Sequence, residues 1–197
     1  MAAQTANKGM LMFRKILIYG TAAGLIVGVP LSIMVIAMGG HDVKYGMLIG
    51  YTTMLIGLST IFMAIKRHRD IDLGGVIGFW QAFGLGLGIS VVAGIFYVVS
   101  WETAVSFTHL DFAGSYAASM IAEKKASGAS AAELAKFTAE MAQFKIQYAN
   151  PLYRWPMSFI EIFPVGVLVS LVSAGLLRNS RFLPARPGSG SGARLAA

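Results

Sequence analysis

The stretch VIGFWQAFGLGLGISVVAGIFYVVS, residues 76–100, decides the fold of this protein because it contains no Asp, Glu, Lys or Arg. A helix rises 1.5 Å per residue and needs about 20 apolar residues to cross the hydrocarbon layer of a membrane. Backbone groups in lipid have no water to bond, so a run of this length should be helical. The stretch therefore predicts a transmembrane helix.

Three further runs have the same character, at residues 16–38, 47–65 and 157–177, and the last contains a single acid, Glu161. The whole chain is 56% hydrophobic and 13% charged, with a mean hydropathy of +0.66, which excludes an ordinary soluble domain. The first run is too long for the apolar core of a secretory signal, so we expect it to remain as an anchor. The sequence predicts an all-α, polytopic membrane protein with four transmembrane helices in one membrane domain, residues 16–178.

Basic residues predict the orientation of these helices. Ten of the sixteen Lys and Arg fall before the first span, between the second and third, or after the fourth. Cytoplasmic segments are enriched in basic residues, so residues 1–15 and the tail 179–197 should be cytoplasmic. The tail is rich in Gly, Ser and Pro and is expected to be disordered.

The segment IKRHRDIDLGG, residues 65–75, carries the basic residues between the second and third spans. We interpret it as a cytoplasmic loop in water whose charges set the topology, and we expect Asp70 or Asp72 to cap the next helix. Because the net charge of +7 is spread over three segments, no nucleic-acid partner is predicted. The loop residues are Lys66, Arg67, His68 and Arg69.

Glycine stripes predict close packing of the spans. Small residues four positions apart let helices in a bilayer approach closely, since lipid supplies no hydrophobic drive between them. The stripes fit both a compact monomer and a homodimer. The predicted packing positions are Gly20, Gly24, Gly28, Gly46, Gly50, Gly74, Gly78, Gly84, Gly88 and Gly166.

The long segment between the third and fourth spans predicts a helical hairpin outside the membrane, at residues 111–149. Ser130 and Glu133 form a capping box at the start of its second helix, and the SGAS sequence supplies the turn. The second helix has an apolar face that packs on its partner helix, lies on the bilayer or contacts another protein. That face consists of Leu134, Phe137, Met141, Phe144 and Tyr148. Trp101, at the start of the segment, is expected at the headgroup level.

Candidate chemistry rests on few residues. An acid within a span is costly unless it is paired or wetted, so Glu161 is the leading suspect for an ion or proton site, with Glu102 or Arg154 beside it. A structural ion pair near the interface is the competing interpretation. Glu102, His109 and Asp111 have no recognised ligand spacing, so no metal site and no cofactor are predicted.

Two stretches, FMAIKRHRDIDLGGVIGFWQAFGLGLGISVVAGIFYVVSWE and FIEIFPVGVLVSLVSAGLLR, resemble the bacterial membrane family called domain of unknown function 4199. The resemblance covers roughly residues 20–178 and implies four spans with an extracytoplasmic segment before the last. It implies no established activity and transfers no catalytic residue. The matching features are Arg69 with Asp70, Gly74 with Gly75, Phe79, Ala82, Gly86, Trp101, Glu161, Pro164, Val165 and Gly166.

The function favoured by the sequence is a structural or accessory membrane component that acts through helix–helix and hairpin contacts, and no enzymatic site stands out. The alternative is a transporter or channel subunit with a proton or cation site at Glu161 with Glu102 or Arg154. The expected partners are the lipid bilayer and either a second copy of the chain or another membrane protein.

Overall fold

The computed structural model describes residues 2–38, 46–108 and 111–185. Within these ranges the chain forms six α-helices and no strand. The helices are α1 (Ala2–Met38), α2 (Gly46–Arg67), α3 (Phe79–Thr108), α4 (Phe112–Ala126), α5 (Ala131–Tyr148) and α6 (Pro151–Leu177), and a five-residue π-helix, His68–Asp72, continues α2.

Four of the helices, α1, α2, α3 and α6, are long and apolar enough to cross a membrane. These are the lengths and compositions of a multi-pass membrane protein, as the sequence predicts. Helix α1 packs against α3 and α2, and α6 packs against the same two helices. The buried core between them is aliphatic, with Leu58, Leu85 and Ile89 fully inaccessible.

The predicted glycine stripe of α1 lies directly on α3. A Cβ added at Gly20 would stand 2.5 Å from Val92 Cβ, and one at Gly24 or Gly28 would overlap a residue of α3 still more closely. Two helices can approach each other this closely only where the residue at the contact has no side chain. The stripe of α1 is therefore used within one chain.

Other predicted packing glycines divide into two groups. Gly88 is approached by Ile16, and Gly166 by Ser90, so both lie at helix contacts. Four others have open space where a Cβ would stand, and packing within the chain does not explain them: Gly50, Gly74, Gly78 and Gly84. The surroundings of Gly46, at the start of α2, lie outside the described part of the structure.

The sequence missed three glycines that the helices do use. An added Cβ at Gly57 would meet Val27, one at Gly86 would meet Ser170, and one at Gly94 would meet Phe159. None of the three has a second glycine four residues away, so a search for paired glycines does not detect them. Contact across helices, and not spacing along one helix, determines which glycines matter.

Helices α4 and α5 form the predicted helical pair. Asp111 caps α4 by accepting a hydrogen bond from the backbone N–H of Gly114, and the Ser130–Glu133 capping box opens α5. Accepting the Ser130 backbone N–H and hydroxyl holds the pKa of the Glu133 carboxyl below its usual range. The boundaries predicted for this pair are close to those found.

Helix α6 begins six residues before the predicted span. The side chain of Asn150 accepts a hydrogen bond from Leu152 N–H and caps α6, with Pro151 in the first turn. The extension adds residues 151–156 to the helix, which places Arg154 two turns before Glu161 on one helix.

Candidate functional site

A cavity of about 640 Å³ opens where α1 ends and α2 begins, and Tyr97 of α3 and Glu161 of α6 complete its wall. Its remaining lining is mostly aliphatic, with Met and Tyr side chains. The volume lies within the range of roughly 300–1,000 Å³ typical of small-molecule sites. This cavity is the candidate functional site.

Among the described residues that line the cavity, Glu161 is the only one with a carboxylate. The Tyr97 hydroxyl, on a side chain that is 4% exposed, donates a hydrogen bond of 3.0 Å to Glu161 Oε2. Glu161 itself is exposed to the cavity. The pair therefore presents one carboxylate oxygen fixed by a phenol and leaves the carboxylate accessible from the cavity.

The predicted companions of Glu161 lie elsewhere. Arg154 donates two hydrogen bonds to Glu102, of 2.6 Å from Nε and 2.5 Å from Nη2, in a forked ion pair. It donates a third, of 3.0 Å, to the carbonyl of Tyr148, and its guanidinium lies 5.5 Å from the centre of the Tyr148 ring. Glu102 and Arg154 thus pair with each other, and no hydrogen bond or ion pair among the described residues joins either of them to Glu161.

Trp101 and Tyr148 join the helical pair to α3. The indole Nε1–H of Trp101 donates a 2.8 Å hydrogen bond to the Tyr148 hydroxyl, and both side chains are buried. Phe112 packs edge-on to Trp101 at 4.9 Å between ring centres. Burial raises the pKa of Tyr148 to about 12, although the Trp101 N–H opposes the shift. Trp101 therefore anchors the hairpin to α3.

The apolar face of α5 is turned toward α4. Phe144 lies 5.6 Å from Tyr116 and 5.3 Å from Tyr148 between ring centres. Leu134, Phe137 and Met141 are half-buried along the same face. Of the three predicted uses of this face, packing on the partner helix is the one that the contacts support.

The basic segment is neither a loop nor fully solvated. His68 and Arg69 lie in the π-helix and are 4% and 0% exposed. The Arg69 guanidinium donates to the carbonyls of Leu177 at 3.3 Å, Phe182 at 2.9 Å and Leu183 at 2.5 Å. It thus binds carbonyl groups at and beyond the C-terminal end of α6, which have no helical partner. Arg67 is exposed, as expected, although it is the last residue of α2, whereas the expectation of a loop in water is wrong for His68 and Arg69.

Asp70 and Asp72 do not cap α3, which begins at Phe79. Asp70 accepts hydrogen bonds from Arg69 at 2.7 Å and from Lys66 at 2.5 Å. Asp72 contacts Lys15 of α1 and lies 2.6 Å from His68 Nδ1. The charges of this segment therefore join α1, α2 and α6, and Gly74 and Gly75, both at positive φ, make the turn that leads to α3.

Metal-ligating residues do not cluster in the described ranges, where no three His, Asp or Glu side chains converge. His109 lies outside the described residues.

Comparison with known protein families gives a match. The family model described as "Protein of unknown function (DUF4199)" matches residues 5–179, which is most of the chain. The chain belongs to this family, in agreement with the resemblance seen in its sequence. No curated protein and no solved structure matches the chain.

Proposed function

We propose that this member of the DUF4199 family is an accessory component of the bacterial inner membrane that presents the α4–α5 hairpin to a protein partner outside the cytoplasm. The distribution of basic residues supports this orientation. The π-helix and the segment after α6 carry basic residues at one end of the four long helices, and the hairpin stands at the other. Both termini are cytoplasmic in this arrangement.

The observation that carries the proposal is the way the hairpin is held. Tyr148, near the end of α5, receives the Trp101 indole N–H and the Arg154 guanidinium through separate atoms. These two hydrogen bonds, one buried and one partly buried, join the end of α5 to α3 and α6 and so fix the direction of the hairpin. A flexible linker would let the hairpin change its direction. A helical pair that is already fixed in direction loses little conformational entropy when a partner binds, which suits it to bind another protein outside the membrane.

The surface available for a partner is the side of α5 that faces away from α4. Ile146 is 70% exposed there, although it is a large aliphatic residue in a mostly polar helix. Phe137, by contrast, is half-buried toward α4. The two positions form a matched pair for crosslinking, one outward and one inward on the same helix.

A photocrosslinking amino acid at Ile146 tests the partner. We expect position 146 to capture one reproducible protein in native membranes and position 137 to capture none. Trp101→Phe, which removes the hydrogen bond to Tyr148, should lower the yield at position 146 several-fold. Adducts with lipid alone, or equal protein adducts at both positions, would reject the accessory function.

The orientation has a test of its own, since the chain contains no cysteine. Single cysteines at Ser127, in the hairpin turn, and at Ser180, after α6, are both at exposed positions. In intact spheroplasts a membrane-impermeant maleimide should label position 127 only. Labelling of position 180 without lysis would reverse the proposed topology.

A further inference from the structure

The cavity contains a carboxylate without a basic partner. Among the described residues, the hydrogen bond from Tyr97 is the only polar contact of the Glu161 side chain, and no Lys, Arg or His pairs with it. A carboxylate in apolar surroundings within a membrane helix is costly unless it is hydrated, protonated or paired, and a positive group is the partner that pairs with its charged form. The described residues that line the cavity include no positively charged side chain.

The remaining lining suits the apolar body of a ligand. Met34, Met54 and Ile49 are flexible or aliphatic side chains that adapt to ligand shape. Tyr51 and Tyr97 add two aromatic rings, and aromatic faces attract cations as well as apolar groups. A cavity of about 640 Å³ has room for a drug-sized molecule.

We propose that this cavity binds a lipophilic monovalent cation, such as an alkylammonium or arylphosphonium compound, with its positive group at the Glu161 carboxylate. The apolar body then lies between α1 and α2 against the residues that line them. A zwitterionic lipid headgroup fits less well, because its phosphate would bring a second negative charge to Glu161, and none of the described residues that line the cavity is basic. This site is independent of the hairpin surface and of the accessory function proposed above.

Two variants remove either the charge or the space. Glu161→Gln keeps the shape of the side chain and an oxygen acceptor for the Tyr97 hydroxyl but lacks the charge. Gly50→Leu fills the cavity, since Gly50 lines it and has open space where a Cβ would stand. Gly84→Leu is the matched control, because Gly84 is also a helical glycine with open space but lies outside the cavity lining.

Binding of radiolabelled tetraphenylphosphonium to the full chain in phosphatidylcholine nanodiscs tests the site. We expect one saturable site per chain in the wild type, and a Kd at least tenfold higher, about 1.4 kcal/mol, for Glu161→Gln and for Gly50→Leu. Gly84→Leu should bind like the wild type. Tyr97→Phe keeps both the carboxylate and a ring, so it should retain binding. This variant and Gly50→Leu still test the site if Glu161→Gln fails to fold.

Neutral triphenylphosphine oxide and added phosphatidylethanolamine complete the design. Neither should displace the phosphonium from the wild type. Displacement by the neutral compound, or unchanged affinity in Glu161→Gln, would show that charge recognition plays no part and would overturn the proposal. Displacement by phosphatidylethanolamine would assign the cavity to a lipid headgroup instead, and equal loss in Gly50→Leu and Gly84→Leu would move the site elsewhere.

Discussion

Replacing Arg69 by Met should destabilise the protein strongly, although the residue belongs to a basic segment. The side chain is fully inaccessible and makes four hydrogen bonds, one to Asp70 and three to backbone carbonyls at and beyond the end of α6. Met fills a similar apolar volume but donates nothing. The substitution therefore isolates the loss of the guanidinium from the loss of packing.

The loss of unfolding free energy depends on which of the hydrogen-bond acceptors of Arg69 can bond to water instead. Leu177 is buried, so its carbonyl stays trapped without a donor, whereas Leu183 is exposed and its carbonyl can hydrate once the segment after α6 detaches. Asp70 keeps its contact with Lys66. A buried acceptor left without a donor costs about 1–3 kcal/mol, and each hydrogen bond from a charged donor contributes about 1.5–3 kcal/mol, so we expect the free energy of unfolding to fall by about 3–5 kcal/mol.

Arg67→Met is the matched control, because Arg67 precedes the π-helix and is exposed. A surface substitution of this kind should change the free energy of unfolding by less than about 0.5 kcal/mol. Unfolding in mixed detergent–SDS micelles, followed by tryptophan fluorescence, measures both variants. Limited proteolysis should also cut residues 178–185 faster in Arg69→Met alone. If the two variants unfold within about 1 kcal/mol of each other, Arg69 does not hold the end of α6.

Three further predictions concern the hairpin and the helix contacts. Trp101→Phe should cost about 1–2 kcal/mol, because a buried Tyr148 hydroxyl loses its donor, and hydrogen exchange should then rise in α5. Gly24→Ala should destabilise the protein by about 1–3 kcal/mol through its clash with α3, whereas Gly84→Ala should be neutral or stabilising, as thermal unfolding would show. The folded-state pKa of Glu133 is lowered, so its capping contribution is present above the unfolded pKa and is lost as pH falls through the folded pKa. Glu133→Gln should remove this pH dependence from hydrogen exchange at the start of α5, and a persisting dependence would contradict the capping assignment.

Prediction from the sequence was most accurate where structure depends on neighbours along the chain. The capping box at Ser130 and the four apolar helices were identified because both signals are local. Prediction was least accurate for Arg69 and Glu102. Both residues are charged, and the role that each has in the structure depends on a partner more than fifty residues away along the chain.

The amino-acid sequence by itself determined that four stretches are helical and membrane-compatible, because apolar length and the need to satisfy backbone hydrogen bonds leave no other structure in lipid. Only the tertiary structure decided that Arg69 is buried while Arg67 is exposed, and that Glu161 faces a cavity with Tyr97 while Arg154 pairs with Glu102. Charge and hydropathy indicate how unfavourable it is to bury a given residue. Which residues pair with each other once buried depends on how separate helices come into contact, and the sequence pattern of any one helix does not contain that information.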